Sequence, residues 1–208
     1  MEALWPSCEP SVANNNLRAA VHSLRQTLSL AGGTDDNFAW MLFQDGNYQI
    51  NPEAALWVDA EHFENHWSVG RQLERDGKIV EAIREYETAE ALYVGDYLED
   101  DLYEEWTFMR REALKDTYLT MLGKLADYSM QAGDYEGCIA YCQRILLREA
   151  CREDAYQRLM RCYNRLGRRD RAIVWYRLYE RTVRKELDVE PLHAMVTLYH
   201  KLLKDELI

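Results

Sequence analysis

Several groups of residues have types and spacings that could do chemistry. His62 and His66 lie one helical turn apart with Glu64 between them, a spacing that can bring two imidazoles to one metal ion. A metalloprotease helix carries glutamate directly after the first histidine, in H-E-x-x-H, and Phe63 occupies that place here. Cys138 and Cys142 share the one-turn spacing, but they fall where a helical repeat puts small buried residues, so they read as core. The acidic run Asp96, Glu99, Asp100, Asp101, Glu104 and Glu105 lacks the central glycine and alternating ligands of an EF-hand. It reads as a solvated loop leading into a helix whose positive amino end suits carboxylates. Arg165, Arg168, Arg169 and Arg171 surround Gly167, either as a charge match for helix ends or as a docking patch. No phosphate loop, nucleophile elbow or paired-carboxylate arrangement occurs, so no enzyme, cofactor or resident metal is expected.

A fifth group belongs to a helix expected over residues 11–28. Leu17, Val21, Leu24 and Leu28, with Ala20, repeat at i, i+4, i+7 and i+11 and form its apolar face. The opposite face carries Asn15, Arg18, Ala19, His22 and Gln26, with Arg25 on its flank. Ser11 is the expected N-cap, and Ala31-Gly32-Gly33 ends the segment. Two strand-like runs follow, Ala39–Phe43 and Tyr48–Ile50, joined through Asp45-Gly46, a dipeptide suited to a tight hairpin turn. Helix and then hairpin is the order of the last elements of a winged helix. On periodicity alone, an ordinary amphipathic helix with a polar outer face explains the same residues.

Composition bounds what these groups can do. The 208 residues are 48% hydrophobic and 29% charged, a balance that builds a real core. No apolar run approaches the roughly 20 residues that span a bilayer, and the start lacks a signal-peptide pattern, so a cytoplasmic protein with no membrane partner is expected. Five scattered cysteines with no C-x-x-C suggest neither a disulfide framework nor a zinc ribbon. The net charge of −11 opposes general binding to a polyanion, so any nucleic-acid contact is expected to be local or to come from something outside this sequence.

From about Asp59 onward the pattern is helical and repeats. Gly77 is followed by Ala82, Ile83 and Tyr86; Gly133 by Cys138, Ile139 and Cys142; Gly167 by Ala172, Ile173 and Tyr176, each at offsets of five, six and nine. Gly133 and Gly167 stand 34 residues apart, the period of a tetratricopeptide unit, and Leu125 and Leu159 repeat at the same interval on the preceding helices. The interval from Gly77 to Gly133 is longer, 56 residues, because the acidic stretch around Asp96 interrupts the array. Stacked helix pairs of this kind present extended grooves for peptides, helices or other domains.

These residues resemble the bacterial transcriptional activator domain of the antibiotic regulatory protein family, whose members pair an OmpR-like winged helix with a tetratricopeptide-like helical domain. The resemblance is carried by Leu4-Trp5-Pro6, Ala13-Asn14-Asn15-Asn16-Leu17-Arg18, Asp45-Gly46-Asn47-Tyr48 and Trp57-Val58-Asp59-Ala60-Glu61-His62-Phe63. Farther on it is carried by Tyr93 to Leu98, Trp106 with Arg111, Gly133-Asp134-Tyr135, Cys151 to Ala155, Leu159-Met160 and Glu186 to Pro191. Asp188 stands where a glycine is usual before Val-Glu-Pro, and Glu149-Ala150 replaces the usual Asp-Pro. Both are turn positions, so local loop shape is what they affect.

The resemblance implies a mainly α fold in two parts: residues 1–58 as the carboxy-terminal part of a winged-helix DNA-binding domain, and 59–208 as the tetratricopeptide-like repeat domain. It makes the first helix a recognition helix, with Asn15, Arg18 and His22 set to contact bases in the major groove and Arg25 a phosphate. It also implies that the chain starts inside the DNA-binding domain, so that DNA binding needs the winged helix completed. The expected function is a transcriptional activator whose repeats mediate dimerisation or contact with RNA polymerase or another regulator protein. Two rivals stay open: a tetratricopeptide-like adaptor that binds protein without DNA, and a metal-dependent activity at His62 and His66.

Overall fold

Pro10 opens helix α1 (Pro10–Ala31), one residue before the expected Ser11 cap. Proline's fixed φ suits a first helical position, where its missing N–H would have found no partner. The Glu9 carbonyl accepts the Val12 and Ala13 amides, which moves Ser11 into the first turn. The structure is a computed structural model and describes residues 4–5, 7–31, 39–54, 56–101, 105–204 and 206; Gly32, Gly33 and Glu104 lie outside them. It divides into two compact units, Met1–Val58 and Asp59–Ile208.

In the first unit, β1 (Met41–Gln44) and β2 (Asn47–Ile50) pair antiparallel, with Met41 opposite Ile50 and Phe43 opposite Tyr48. Asp45 and Gly46 turn the chain with φ of 50° and 81°. Two successive left-handed residues match the right-handed twist of the strands they join. Ala39 and Trp40, expected in the first strand, precede it instead. Their carbonyls accept the side-chain amide and the backbone N–H of Asn51, at 2.9 and 2.8 Å, and this closes the neck of the hairpin.

The second unit is helical: α2 (Asp59–Arg75), α3 (Ile79–Leu92), α4 (Glu105–Gln131), α5 (Tyr135–Arg148), α6 (Glu153–Arg165), α7 (Arg169–Leu187) and α8 (His193–Leu203). Helices α2, α4 and α6 each pack on the helix that follows them, and α8 covers the last pair. Each pair turns on one of the repeating glycines. Gly77, Gly133 and Gly167 have φ of 76°, 79° and 72°, and the residue after each donates its N–H five residues back, Lys78 to Leu73, Asp134 to Ser129 and Arg168 to Tyr163. This is the Schellman closure, in which a left-handed residue redirects the chain while occupying the last carbonyls of the helix.

The residues at offset five, Ala82, Cys138 and Ala172, are fully buried, as are Cys142 and Leu159, and Leu125 nearly so. Small side chains there let the two helices of a pair approach closely. At the first pair the approach is tightest on the opposite helix, where a Cβ on Gly70 would come within 2.6 Å of the Tyr86 ring. One apolar core runs from Phe63 to Cys162, and a second joins Tyr156 and Met160 to Tyr179, Met195 and Leu202. Helix α8 thus seals the open end of the array, the role that capping elements play in stacked repeats.

Candidate nucleic-acid and protein interfaces

Helix α1 presents Asn15, Arg18, His22 and Arg25 at i, i+3, i+7 and i+10, one exposed stripe beside the apolar side that buries Ala13 and Val21. Asn15 can offer an adenine a donor and an acceptor together, and Arg18 a guanine or a phosphate two parallel donors. Arg25 is placed differently. Its Nη2 donates to the Met41 carbonyl at 3.0 Å, fastening the helix to the first residue of β1. Periodicity put Arg25 on the flank of the polar face without showing this bond. The apolar face is only partly covered: Leu17 and Leu28 are half-buried, and Leu24 remains 42% exposed.

In the second unit the polar residues mostly join helices. Glu74 accepts hydrogen bonds from Lys124 at 2.7 and 2.8 Å, from the Tyr86 hydroxyl at 3.1 Å and from the Tyr128 hydroxyl. Burial pushes the Glu74 carboxyl up, but the bonds from Lys124, Tyr128 and Tyr86 outweigh it and hold the group below the usual carboxylate range. Burial and the same carboxylate push the Tyr128 phenol up to about 12. Three successive helices, α2, α3 and α4, therefore meet on one anion.

Of the residues expected to do chemistry, His66 faces α3, its Nδ1 2.6 Å from Glu85. Among the described residues no three histidine, cysteine or acidic side chains are arranged to hold a metal. Cys138 and Cys142 meet Cys162 of α6 inside the core; hydrogen bonding to Cys138 and burial push the Cys142 thiol far up, which keeps it protonated. The basic cluster at Gly167 divides. Arg168 pairs with Glu136 at 2.7 Å and Arg169 donates to the carbonyls of Leu202 and Leu203 at the end of α8, whereas Arg165 and Arg171 are exposed with no ion partner among the described residues.

The acidic stretch is anchored rather than merely solvated. Arg111, only 5% exposed, donates to the Tyr97 carbonyl at 2.8 Å, the Leu98 carbonyl at 3.1 Å and the Thr107 hydroxyl at 2.8 Å. Asp96 accepts from the Tyr93 hydroxyl and from Arg148, both at 3.1 Å, while Tyr93 stacks on Tyr118 with ring centres 4.1 Å apart. Sequence reasoning singled out Arg111 beside Trp106 but had no signal for its partners, which are backbone carbonyls.

Comparison with known proteins follows this division. The family model described as "Bacterial transcriptional activator domain" matches residues 58–203. "Transcriptional regulatory protein MoaR1" of Mycobacterium tuberculosis is 26% identical over 98% of the chain, and that of Mycobacterium bovis is equally similar; the chain spans 65% of the length of each. Among solved structures, Mycobacterium tuberculosis EmbR, in complex with a low affinity phosphopeptide, is similar over the whole chain and 54% of its own, with TM-score 0.73 and 20% identity. The tetratricopeptide-containing domain of a Plasmodium falciparum putative FK506-binding protein is similar over 71% of the chain and 92% of its own, with TM-score 0.51 and 14% identity. The first likeness includes the helix and hairpin of the first unit; the second supports the tetratricopeptide-like architecture.

Proposed function

The chain belongs to the bacterial transcriptional activator domain family, and from that premise we propose that it is a transcriptional regulator, not an enzyme, whose first unit reads DNA and whose helical unit binds protein. Residues 1–58 are the carboxy-terminal part of a winged helix in this reading, and 59–208 are the repeat domain. The observation that carries it is the pairing of a matched repeat domain with a helix and hairpin that expose Asn15, Arg18 and His22 along one stripe. Arg25 serves mainly to hold the helix on the hairpin, and its remaining donors are the ones assigned to a phosphate. The repeats mediate dimerisation or contact with RNA polymerase or another regulator. No helix among the described residues is long and apolar enough to cross a membrane.

A gel-shift assay of the native gene product on the DNA upstream of its own gene tests the first half. A sequence-selective shift is expected, weakened about tenfold or more by Asn15→Ala or Arg18→Ala, since a good bidentate base contact contributes about 1–3 kcal/mol of discrimination. Equal shifts of promoter and scrambled duplex would remove the DNA-reading half. The adaptor reading has one observation in its favour. Residues 1–58 hold two arginines and no lysine against six carboxylates, which gives phosphates little general attraction.

A further inference from the structure

The charge of this chain is strongly polarised. Between residues 158 and 185 there are ten basic and two acidic side chains, in a protein whose net charge is −11. Several of the ten are committed to partners: Arg158 to Asp127 and Asp154, Arg168 to Glu136, Arg184 to Glu180 and Glu190. Arg177 and Arg181 are not. Both are exposed on α7, one helical turn apart, and no described residue forms an ion pair with either.

These two arginines border an apolar groove. Leu146 and Leu147 of α5 and Trp175, Leu178 and Thr182 of α7 line a groove of about 480 Å³ with Tyr156 beneath. Leu178 also lines the adjoining hollow formed by Val174, Arg177 and Arg181, so apolar floor and basic edge are continuous. Leu147 is 85% exposed and Val174 55%, and no residue lining either hollow is acidic. Large apolar side chains held in water beside unpaired guanidinium groups are a typical mark of a binding surface.

We propose that the α5–α7 groove docks an acidic amphipathic helix of a partner protein, its leucines or aromatics on Leu147, Val174 and Leu178 and its carboxylates on Arg177 and Arg181. This deepens, and rests on, the reading of the helical unit as a protein-binding domain. The geometry suits a helix: α7 extends about 28 Å at ~1.5 Å per residue, and the one-turn spacing of the arginines matches carboxylates at i and i+4 of a helix lying alongside. Nucleic acid fits less well, because phosphates would lose hydration over an apolar floor. A second copy in a symmetric pair would face this patch with the same patch, which carries arginines and no acidic lining residue and so offers them no carboxylate.

The test is fluorescence anisotropy of a labelled synthetic 16-residue helix, leucine at i, i+4 and i+7 and glutamate on both flanks, titrated with the full chain. A twin peptide carries lysine for each glutamate. The acidic peptide is expected to bind saturably, at least tenfold more weakly to Arg177→Glu/Arg181→Glu, while the lysine twin gains binding to that variant. Leu147→Gln, at a site 85% exposed and with a neutral residue that keeps helix propensity, is expected to weaken binding at least fivefold, with an unchanged thermal melt. The proposal is overturned if the two peptides bind alike or if both variants leave acidic-peptide binding unchanged. It is also overturned if duplex DNA displaces the peptide and loses affinity in the charge-reversed variant, or if sedimentation shows self-association that this variant abolishes. The peptide titration contains no DNA, so its failure leaves the promoter shift standing, and failure of the promoter shift leaves the titration standing.

Discussion

The two units hold their shape by different means. Among its described residues the first buries only Ala13, Val21 and Met41 of its apolar side chains, and its form depends on a few polar ties: Arg25 to the Met41 carbonyl, and Asn51 to the carbonyls of Ala39 and Trp40. The second buries the inner faces of seven helices, and its polar contacts brace an existing core. Burial contributes roughly 25 cal/mol per Å² of apolar surface, whereas a typical hydrogen bond nets about 1 kcal/mol, so stability concentrates in the repeats. The difference suits the proposed division of labour, in which the lightly buried helix reads DNA and the well-packed array binds protein.

Core truncation should expose that difference most strongly. Leu159→Ala, at a fully buried position, is expected to cost about 4 kcal/mol in chemical denaturation of the second unit, and Val21→Ala in the first only about 1–2 kcal/mol. Equal costs would show that the first unit is packed as densely as the second. Next is Arg111→Ala, which removes a buried guanidinium and leaves the Tyr97 and Leu98 carbonyls without their donor; a loss of about 3 kcal/mol is expected by thermal melting. If the variant melts like the parent, the acidic stretch is not held by Arg111.

Glu74→Gln should cost about 2 kcal/mol at pH 7, where three helices share its charge. The folded carboxyl lies below its ordinary value, so its stabilisation is complete above the unfolded pKa of about 4.3 and fades as pH falls through the folded pKa. Melting curves of parent and variant should therefore converge in acid; a constant gap from pH 7 to pH 3 would assign the effect to packing. The smallest effect is a gain. Asp188 ends α7 with φ 55° and ψ 38°, a left-handed conformation glycine adopts without strain, so Asp188→Gly should stabilise by about 0.5–1 kcal/mol in the same melts. A loss would mean that the Asp188 side chain makes a compensating local bond.

The elements most legible in the sequence are those set by neighbours a few residues apart. Gly77, Gly133 and Gly167 marked the repeat because closing a helix this way requires a left-handed residue, and Asp45-Gly46 marked the hairpin for the same reason. Spacing also placed Asn15, Arg18 and His22 on one side of α1, since the helical period is intrinsic to the backbone. The start at Pro10 is not legible in the sequence, because Ser11 is the stronger capping residue type and the carbonyl of Glu9 carries no sequence signal.

The rest was decided by packing between distant segments. Glu74 and Lys124, and Arg111 and the Tyr97 carbonyl, are joined by chain reversals whose geometry no local pattern encodes, and the Tyr97 carbonyl, like the Ala39 carbonyl that Asn51 reaches across the hairpin, is a backbone acceptor common to every residue. The groove between α5 and α7 is of the same kind. Val174, Arg177, Leu178 and Arg181 share one face of α7 by the helical period alone, but Leu147 looks like an ordinary helix-surface residue in the sequence, and only the stacking of the last two pairs brings it to that face. Backbone preference and period thus wrote the repeat, the hairpin and the polar stripe into the sequence, while the ties and the groove exist only where the folded helices converge.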